Sequence, residues 1–219
     1  MDRRQHKLQQ KRKKREQTKK IARIEAARRP SEEQLLVRAG ARSEFGPCFV
    51  SAGWDDESEP ALVSVIVTRR LDADELLVHM LLLDRTCLGV KNAMLSPPMT
   101  RDGVEEFAED VGRAHGGMEK CEPLLAQSLV FHALDYAREL GFTPNADFHE
   151  SLLGPRPETL LETPWRRAER PLYISGPDDN VGRIMAQLQR AAGASVMLAD
   201  PLEIVAQLED GEVLEDGGD

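Results

Sequence analysis

Aromatic residues and cysteines are scarce in this 219-residue chain, and long apolar runs are missing from it. Phe, Trp and Tyr make up 5% of the residues, although 41% are hydrophobic, which is enough for a packed core. No run approaches the roughly 20 consecutive apolar residues that a membrane-spanning helix needs. The basic N-terminal residues lead into more charge, without the apolar centre of a secretory signal. We therefore expect a cytoplasmic protein with no membrane partner.

The three cysteines, Cys48, Cys87 and Cys121, are widely spaced. They form no CxxC pair, and no Cys/His cluster has zinc-finger spacing. Isolated cysteines in odd number favour reduced, mostly buried thiols that pack as small hydrophobic side chains.

Charge divides the chain into three parts. Residues 1–29 contain 13 Lys and Arg residues against three acids, which gives this basic arm a net charge of +10. Because the whole chain carries −9, the remainder carries −19. Residues 200–219 contain eight acids and no Lys, Arg or His. The sequence thus predicts a basic arm over 1–30, a single folded domain over 31–199 and an acidic tail over 200–219.

The basic arm has the composition of a phosphate-binding segment. It has too little apolar surface to offset the entropy of ordering, so we expect disorder, or a helix when an anionic surface neutralises it. No aromatic residue lies among its cations, which argues against base stacking and sequence readout. The cations expected to bind nucleic acid are Arg3, Arg4, Lys7, Lys11, Arg12, Lys13, Lys14, Arg15, Lys19, Lys20, Arg23, Arg28 and Arg29.

Two kinds of partner fit the basic arm. The first is RNA, with the ribosome as the leading example, because counterion release from phosphates supplies affinity. The second is an acidic protein or the chain's own acidic tail. A helix lying on a membrane surface is disfavoured, because Leu8, Ile21 and Ile24 make a poor apolar face.

Hydrophobic periodicity predicts an α+β fold, with a small, mainly antiparallel sheet and helices packed on one of its faces. A capping box at Ser31 predicts the first helix. Gly89, Pro97 and Pro98 are expected to interrupt the strand pattern. The predicted helices are 31–38, 103–114, 122–141 and 180–192, with a short helical turn at 148–153; the predicted strands are 49–52, 62–68, 76–83, 171–175 and 195–198, with a hairpin joining the second and third.

Chemically active side chains follow the predicted strand 76–83. Asp84 can serve as a base or metal ligand, Cys87 as a nucleophile and Lys91 as a phosphate partner. A cysteine nucleophile also needs a nearby histidine, such as His149, or a positive field to lower its pKa. The competing interpretation is a turn in which Asp84 accepts backbone hydrogen bonds and Cys87 packs inward.

Two other segments resemble ligand sites. Asp147, His149 and Glu150 are mixed ligands that a divalent ion accepts, but Asp147 also suits a helix N-cap, and no second ligand cluster accompanies them. Ser175-Gly176-Pro177 resembles a phosphate cradle, but the acids at 178 and 179 oppose phosphate there and are expected to cap the following helix instead, and neither GxGxxG nor GKS/T occurs. We predict no metal site, no nucleotide site and no cofactor.

Three blocks of this sequence resemble an uncharacterised bacterial protein family. They are DRTCLGVK at 84–91, YARELGFTP at 136–144 and PLYISGP at 171–177. The resemblance covers roughly residues 45–193 and implies one compact domain, with no known activity to transfer. Such proteins favour a His-containing stretch after the Pro of the second block, where this chain has Asn145-Ala146-Asp147.

Three functions follow from these observations. The first is a non-enzymatic accessory protein whose basic arm binds RNA while the acidic domain contacts protein. The second is a hydrolase or nuclease that uses Asp84, Cys87, Lys91 and His149. The third is a protein–protein interaction module without nucleic acid.

Overall fold

The computed structural model describes residues 30–55, 62–113, 116–163, 171–176, 179–192 and 197–199. Residues 1–29 of the predicted basic arm, and the whole predicted acidic tail, lie outside the described residues. The chain divides into two units, Met1–Ala39 and Gly40–Asp219.

Helix α1 (Glu32–Gly40) begins with the predicted capping box. Ser31 Oγ accepts a hydrogen bond from the N–H of Gln34 at 3.1 Å, and Gln34 Oε1 accepts one from the N–H of Ser31 at 3.2 Å. These bonds satisfy donors that a helix leaves without intrahelical partners at its first turn. The first predicted helix is confirmed; it begins one residue later and ends two residues later than expected.

A five-stranded antiparallel sheet forms the centre of the second unit, which confirms the α+β class. Its spatial order is β4-β3-β2-β1-β5. The strands are β1 (Cys48–Ser51), β2 (Leu62–Arg70), β3 (Leu76–Asp84), β4 (Gly89–Met99) and β5 (Met118–Cys121).

Strands β2 and β3 form the hairpin that the sequence predicts. Their pairing runs from Leu62 opposite Asp84 to Arg70 opposite Leu76. In the turn, Asp72 Oδ1 accepts hydrogen bonds from the N–H groups of Asp74 and Glu75, each at 2.8 Å. This local bonding explains why the connection was recognisable from its sequence.

Strand β4 corrects the prediction that Gly89, Pro97 and Pro98 interrupt the strand pattern. It is an edge strand that pairs with β3, where a proline without an N–H is tolerated. Val78 pairs with Ser96 and Leu76 pairs with Met99, so both prolines lie opposite the single residue between Leu76 and Val78. The prolines therefore occupy a bulge in a continuing strand.

Helices cover both faces of the sheet, which corrects the prediction of helices on one face. Helix α3 (Pro123–Glu139) packs against the face that carries Val65 and Leu81. Helix α2 (Arg101–Arg113) packs Val104 and Ala108 against the opposite face, which carries Ile66 and Val78. Because β2 and β3 are apolar on both sides, a single helical layer would leave one apolar face in water.

The remaining elements follow α3 along the chain. A 3₁₀ helix (Glu150–Leu153) lies within the predicted helical turn. Strands β6 (Leu172–Ile174) and β7 (Met197–Ala199) form a separate parallel pair, joined through α4 (Val181–Ala192). Strands β6 and β7 and helix α4 agree in type with the prediction, and their ends are shifted. None of the described helices is long and apolar enough to span a membrane.

Candidate functional site

The three sequence blocks meet in space, although they are far apart in the chain. Lys91 of the first block donates from Nζ to the carbonyl of Ile174 in the third, at 2.9 Å. Tyr136 of the second block donates from its hydroxyl to the carbonyl of Thr86 in the first, at 3.2 Å. We call this meeting point the three-block site.

Asp84 holds the turn at the start of the three-block site. Its side chain is fully buried, and Oδ1 accepts hydrogen bonds from the N–H and hydroxyl of Thr86, at 2.7 and 2.6 Å, and from the N–H of Cys87 at 3.0 Å. The structure thus shows the turn that the competing interpretation predicts, in which Asp84 accepts hydrogen bonds from the backbone. Oδ1 is occupied by these donors, and Oδ2 faces the Cys87 thiol at 3.6 Å.

The Cys87 thiol lies in the hydrophobic core with no exposed surface. Burial, and then the neighbouring Asp84 carboxylate, raise the pKa of this thiol strongly. A thiolate is the reactive form of cysteine, and both influences oppose its formation. The arrangement suits packing better than nucleophilic attack.

Substitutions at Asp84 test this structural role. We expect Asp84→Asn to lower the free energy of unfolding by about 1 kcal/mol, because an amide oxygen still accepts the three bonds at the Oδ1 position. Asp84→Ala should lower the free energy of unfolding by at least twice as much, because the buried donors of Thr86 and Cys87 lose their acceptor. Urea denaturation of both variants measures the difference. Equal losses would show that an acceptor at this position does not hold the turn.

Lys91 is part of a polar cluster that also contains Asp179, Tyr173 and the backbone of Gly176. Asp179 Oδ2 lies 3.2 Å from Lys91 Nζ and accepts hydrogen bonds from the Tyr173 hydroxyl at 3.0 Å and the N–H of Gly176 at 2.7 Å. Burial alone would raise the pKa of Asp179, but these hydrogen bonds and the Lys91 charge outweigh it and lower the pKa. Burial, and then Asp179, raise the pKa of Tyr173, so its hydroxyl stays protonated and donates.

Sequence reasoning missed Asp179 as the partner of Lys91. It assigned the acids at 178 and 179 to the cap of the following helix. In the structure Asn180 caps α4, with Oδ1 accepting from the N–H of Arg183 at 3.1 Å. Because 88 positions separate Lys91 from Asp179, no local pattern connects them.

A cavity of about 370 Å³ opens beside this cluster. Leu88 and Val90 line it from the first block, Phe142 and Thr143 from the second, and α4 closes another side. Its volume lies in the range of small-molecule pockets.

His149 is not brought to Asp84 and Cys87. It lies beside His79 on β3, with ring centroids 5.8 Å apart. His79 precedes Asp84 by five strand residues, which is roughly 16 Å along a strand. Among the described residues, no three His, Cys, Asp or Glu side chains are grouped to hold a metal ion.

The 13 cations predicted to bind nucleic acid all belong to residues 1–29, outside the described part of the chain. The structure therefore shows the three-block site and its cavity as the candidate site of the folded domain. No protein-family model, no curated protein and no solved structure matches this chain.

Proposed function

We propose that the protein is a non-enzymatic accessory protein whose basic arm binds RNA, with the ribosome as the leading example, while its acidic folded domain contacts protein. One observation carries the proposal: residues 1–29 have a net charge of +10, and the remainder has −19. A cationic segment gains affinity by releasing counterions from a phosphate backbone. An acidic body repels that backbone, so contact with nucleic acid is left to the arm.

The side chains of the loop at 84–91 support a non-enzymatic domain. Asp84 Oδ1 holds a turn, Cys87 packs in the core, and Lys91 pairs with Asp179. A hydrolase or nuclease needs its nucleophile and base within hydrogen-bond reach of each other and of a substrate. His149, the histidine offered for that role, lies instead beside His79.

The salt dependence of RNA affinity tests the proposed role of the arm. Replacing Lys11, Arg12, Lys13, Lys14 and Arg15 with Gln removes five cations from the full-length chain. Each phosphate contact contributes about 0.7–0.9 to the slope of log affinity against log salt, so five lost contacts reduce the slope by about 4. Binding to purified ribosomes or structured RNA, measured at several salt concentrations, gives both slopes.

A matched control removes five exposed arginines from the described part of the chain: Arg38, Arg42, Arg101, Arg113 and Arg138. This variant has the same net charge as the arm variant, and we expect it to keep the wild-type slope. An unchanged slope in the arm variant, or RNA binding that survives deletion of residues 1–29, would contradict the proposal.

A lysate pull-down separates RNA from a protein partner. We expect RNA captured by the full-length chain to be lost after ribonuclease treatment and to be missing when residues 30–219 are the bait, whereas proteins bound by the folded domain should stay with both baits. Capture of the same proteins with both baits, and of no RNA with either, would instead favour the interaction module without nucleic acid.

A further inference from the structure

The cavity at the three-block site is bounded by one face of α4. Arg183, Gln187 and Arg190 line it and follow one another at spacings of four and three residues. Residues at these spacings lie on the same side of a helix, one turn apart. Arg183 and Arg190 therefore start about two turns apart on one wall of the cavity, and both side chains border the same space.

This wall makes the cavity positive within an acidic protein. Among the described residues that line it, Lys91, Arg183 and Arg190 are cations and Asp179 is the one acid, which leaves a net charge of +2. The chain outside the basic arm carries −19 in total. Cations gathered against this background create a local field that attracts anions.

The one lining carboxylate is already engaged by other groups. Asp179 Oδ2 contacts Lys91, the Tyr173 hydroxyl and the N–H of Gly176. Neither Arg183 nor Arg190 forms a salt bridge with a described residue. Arg190 donates to Gln187 Oε1 at 2.7 Å, a neutral acceptor that positions the guanidinium without cancelling its charge.

Apolar side chains complete the cavity. Leu88, Val90, Phe142 and Ile184 line it together with the cations. Apolar surface beside a small number of placed polar groups is typical of sites for small organic molecules. Guanidinium groups match the planar oxygens of carboxylates and phosphates, to which they donate paired hydrogen bonds.

We propose that this cavity binds a small organic anion, a carboxylate or a phosphate ester, with the charged group on Arg183 and Arg190 and the apolar part against Phe142 and Ile184. The three sequence blocks then share a purpose: the first two line the ligand site with α4, and Tyr173 and Gly176 of the third hold the lining residue Asp179. The inference does not depend on RNA binding, because the residues involved lie outside the basic arm.

Titration of the full-length, ¹⁵N-labelled protein with phenyl phosphate and with phenylacetate tests the proposal. We expect saturable shifts of the amide signals of Thr143, Asn145 and Gln187, with a dissociation constant of about 1 mM for probes of this size. The probe that binds more tightly identifies the preferred anion. Benzyl alcohol, which is neutral, should not saturate these signals. Following individual amides separates the cavity from the basic arm, which attracts anions by itself.

The double variant R183Q/R190Q should weaken the binding of either probe by about tenfold or more, because both charge-assisted contacts are lost. The control R101Q/R113Q removes two exposed arginines from α2, which packs on the opposite face of the sheet, and should keep the wild-type affinity. Three results would each overturn the proposal: no saturable shift with either anion at tenfold the expected dissociation constant, equal binding of benzyl alcohol, or unchanged affinity in R183Q/R190Q.

Discussion

Replacing His79 with Leu is expected to make the protein more resistant to acid than the wild type. Between pH 7 and pH 4, the variant's advantage in unfolding free energy should grow by about 3 kcal/mol. At pH 7 the two proteins should differ little, because a neutral, buried histidine and a leucine are similar in size.

The reason is the position of His79 inside the fold. Its side chain is 1% exposed, stacks on Phe148 with ring centroids 5.8 Å apart, and makes no well-formed hydrogen bond from either ring nitrogen to a described residue. Burial, and then the charge of nearby His149, lower the pKa of His79 from 6.5 to about 4, while the backbone of Asp147 opposes the shift.

The sign of the effect follows from proton binding. Below pH 6.5 the unfolded chain protonates His79, whereas the folded protein does not do so until about pH 4. Protonation therefore favours the unfolded chain increasingly between these two values. The contribution of His79 to stability is complete above pH 6.5 and declines as the pH falls toward 4.

Urea denaturation at pH 7, 5.5 and 4 measures this effect. The variant Leu81→Val, two residues along the same strand, is the control, because it alters packing without removing a titrating group. We expect its difference from the wild type to be independent of pH. The same independence in His79→Leu would mean that His79 gains its proton in the folded protein as easily as in the unfolded chain.

Gly89→Ala is expected to lower the free energy of unfolding by about 2–5 kcal/mol. Gly89 begins β4 with φ at +67°, which costs a residue with a side chain about 1–2 kcal/mol. A Cβ atom there would also lie 2.5 Å from the carbonyl oxygen of Ala133 and 2.6 Å from the Cβ of Ala137. Both atoms belong to α3 and cannot rotate away, so the helix or the strand must shift.

Gly116→Ala is the matched control. Gly116 has a similar φ of +74°, but no described atom lies within 4 Å of the position its Cβ would take. We expect Gly116→Ala to lower the free energy of unfolding only by the cost of a positive φ for a residue with a side chain, about 1–2 kcal/mol. Thermal or urea denaturation of both variants compares the two positions. Equal losses would contradict a close approach of the β3–β4 turn to α3.

Two kinds of element were predicted well from the sequence. One kind has hydrogen bonds between residues close in the chain, and the other has apolar residues that repeat over several helical turns. The capping box at Ser31 and the turn at Asp72 hold their bonds within a few residues. Helix α3 was predicted over 122–141 and spans Pro123–Glu139, because its apolar residues repeat over several turns. Gly141 follows it with φ at +78°, as expected for a residue that ends a helix.

The elements that the sequence prediction missed depend on neighbours in space. Pro97 and Pro98 were expected to break a strand, but β4 is an edge strand with a bulge, where prolines fit. Strand β5 is four residues long with Glu119 and Lys120 at its centre, and it is recognisable through its pairing with β1. A short polar strand has no periodicity of its own to detect.

The α+β class, the β2–β3 hairpin and the division into a basic segment and an acidic remainder could be inferred without coordinates, because each depends on composition or on the spacing of nearby residues. The folded arrangement of the chain was needed to show that Asp84 holds a turn, that Lys91 pairs with Asp179 and that the first two blocks and α4 line a cavity. These contacts join residues up to 88 positions apart. Hydrophobic burial on both faces of the sheet brings those segments together, and that burial depends on the whole fold.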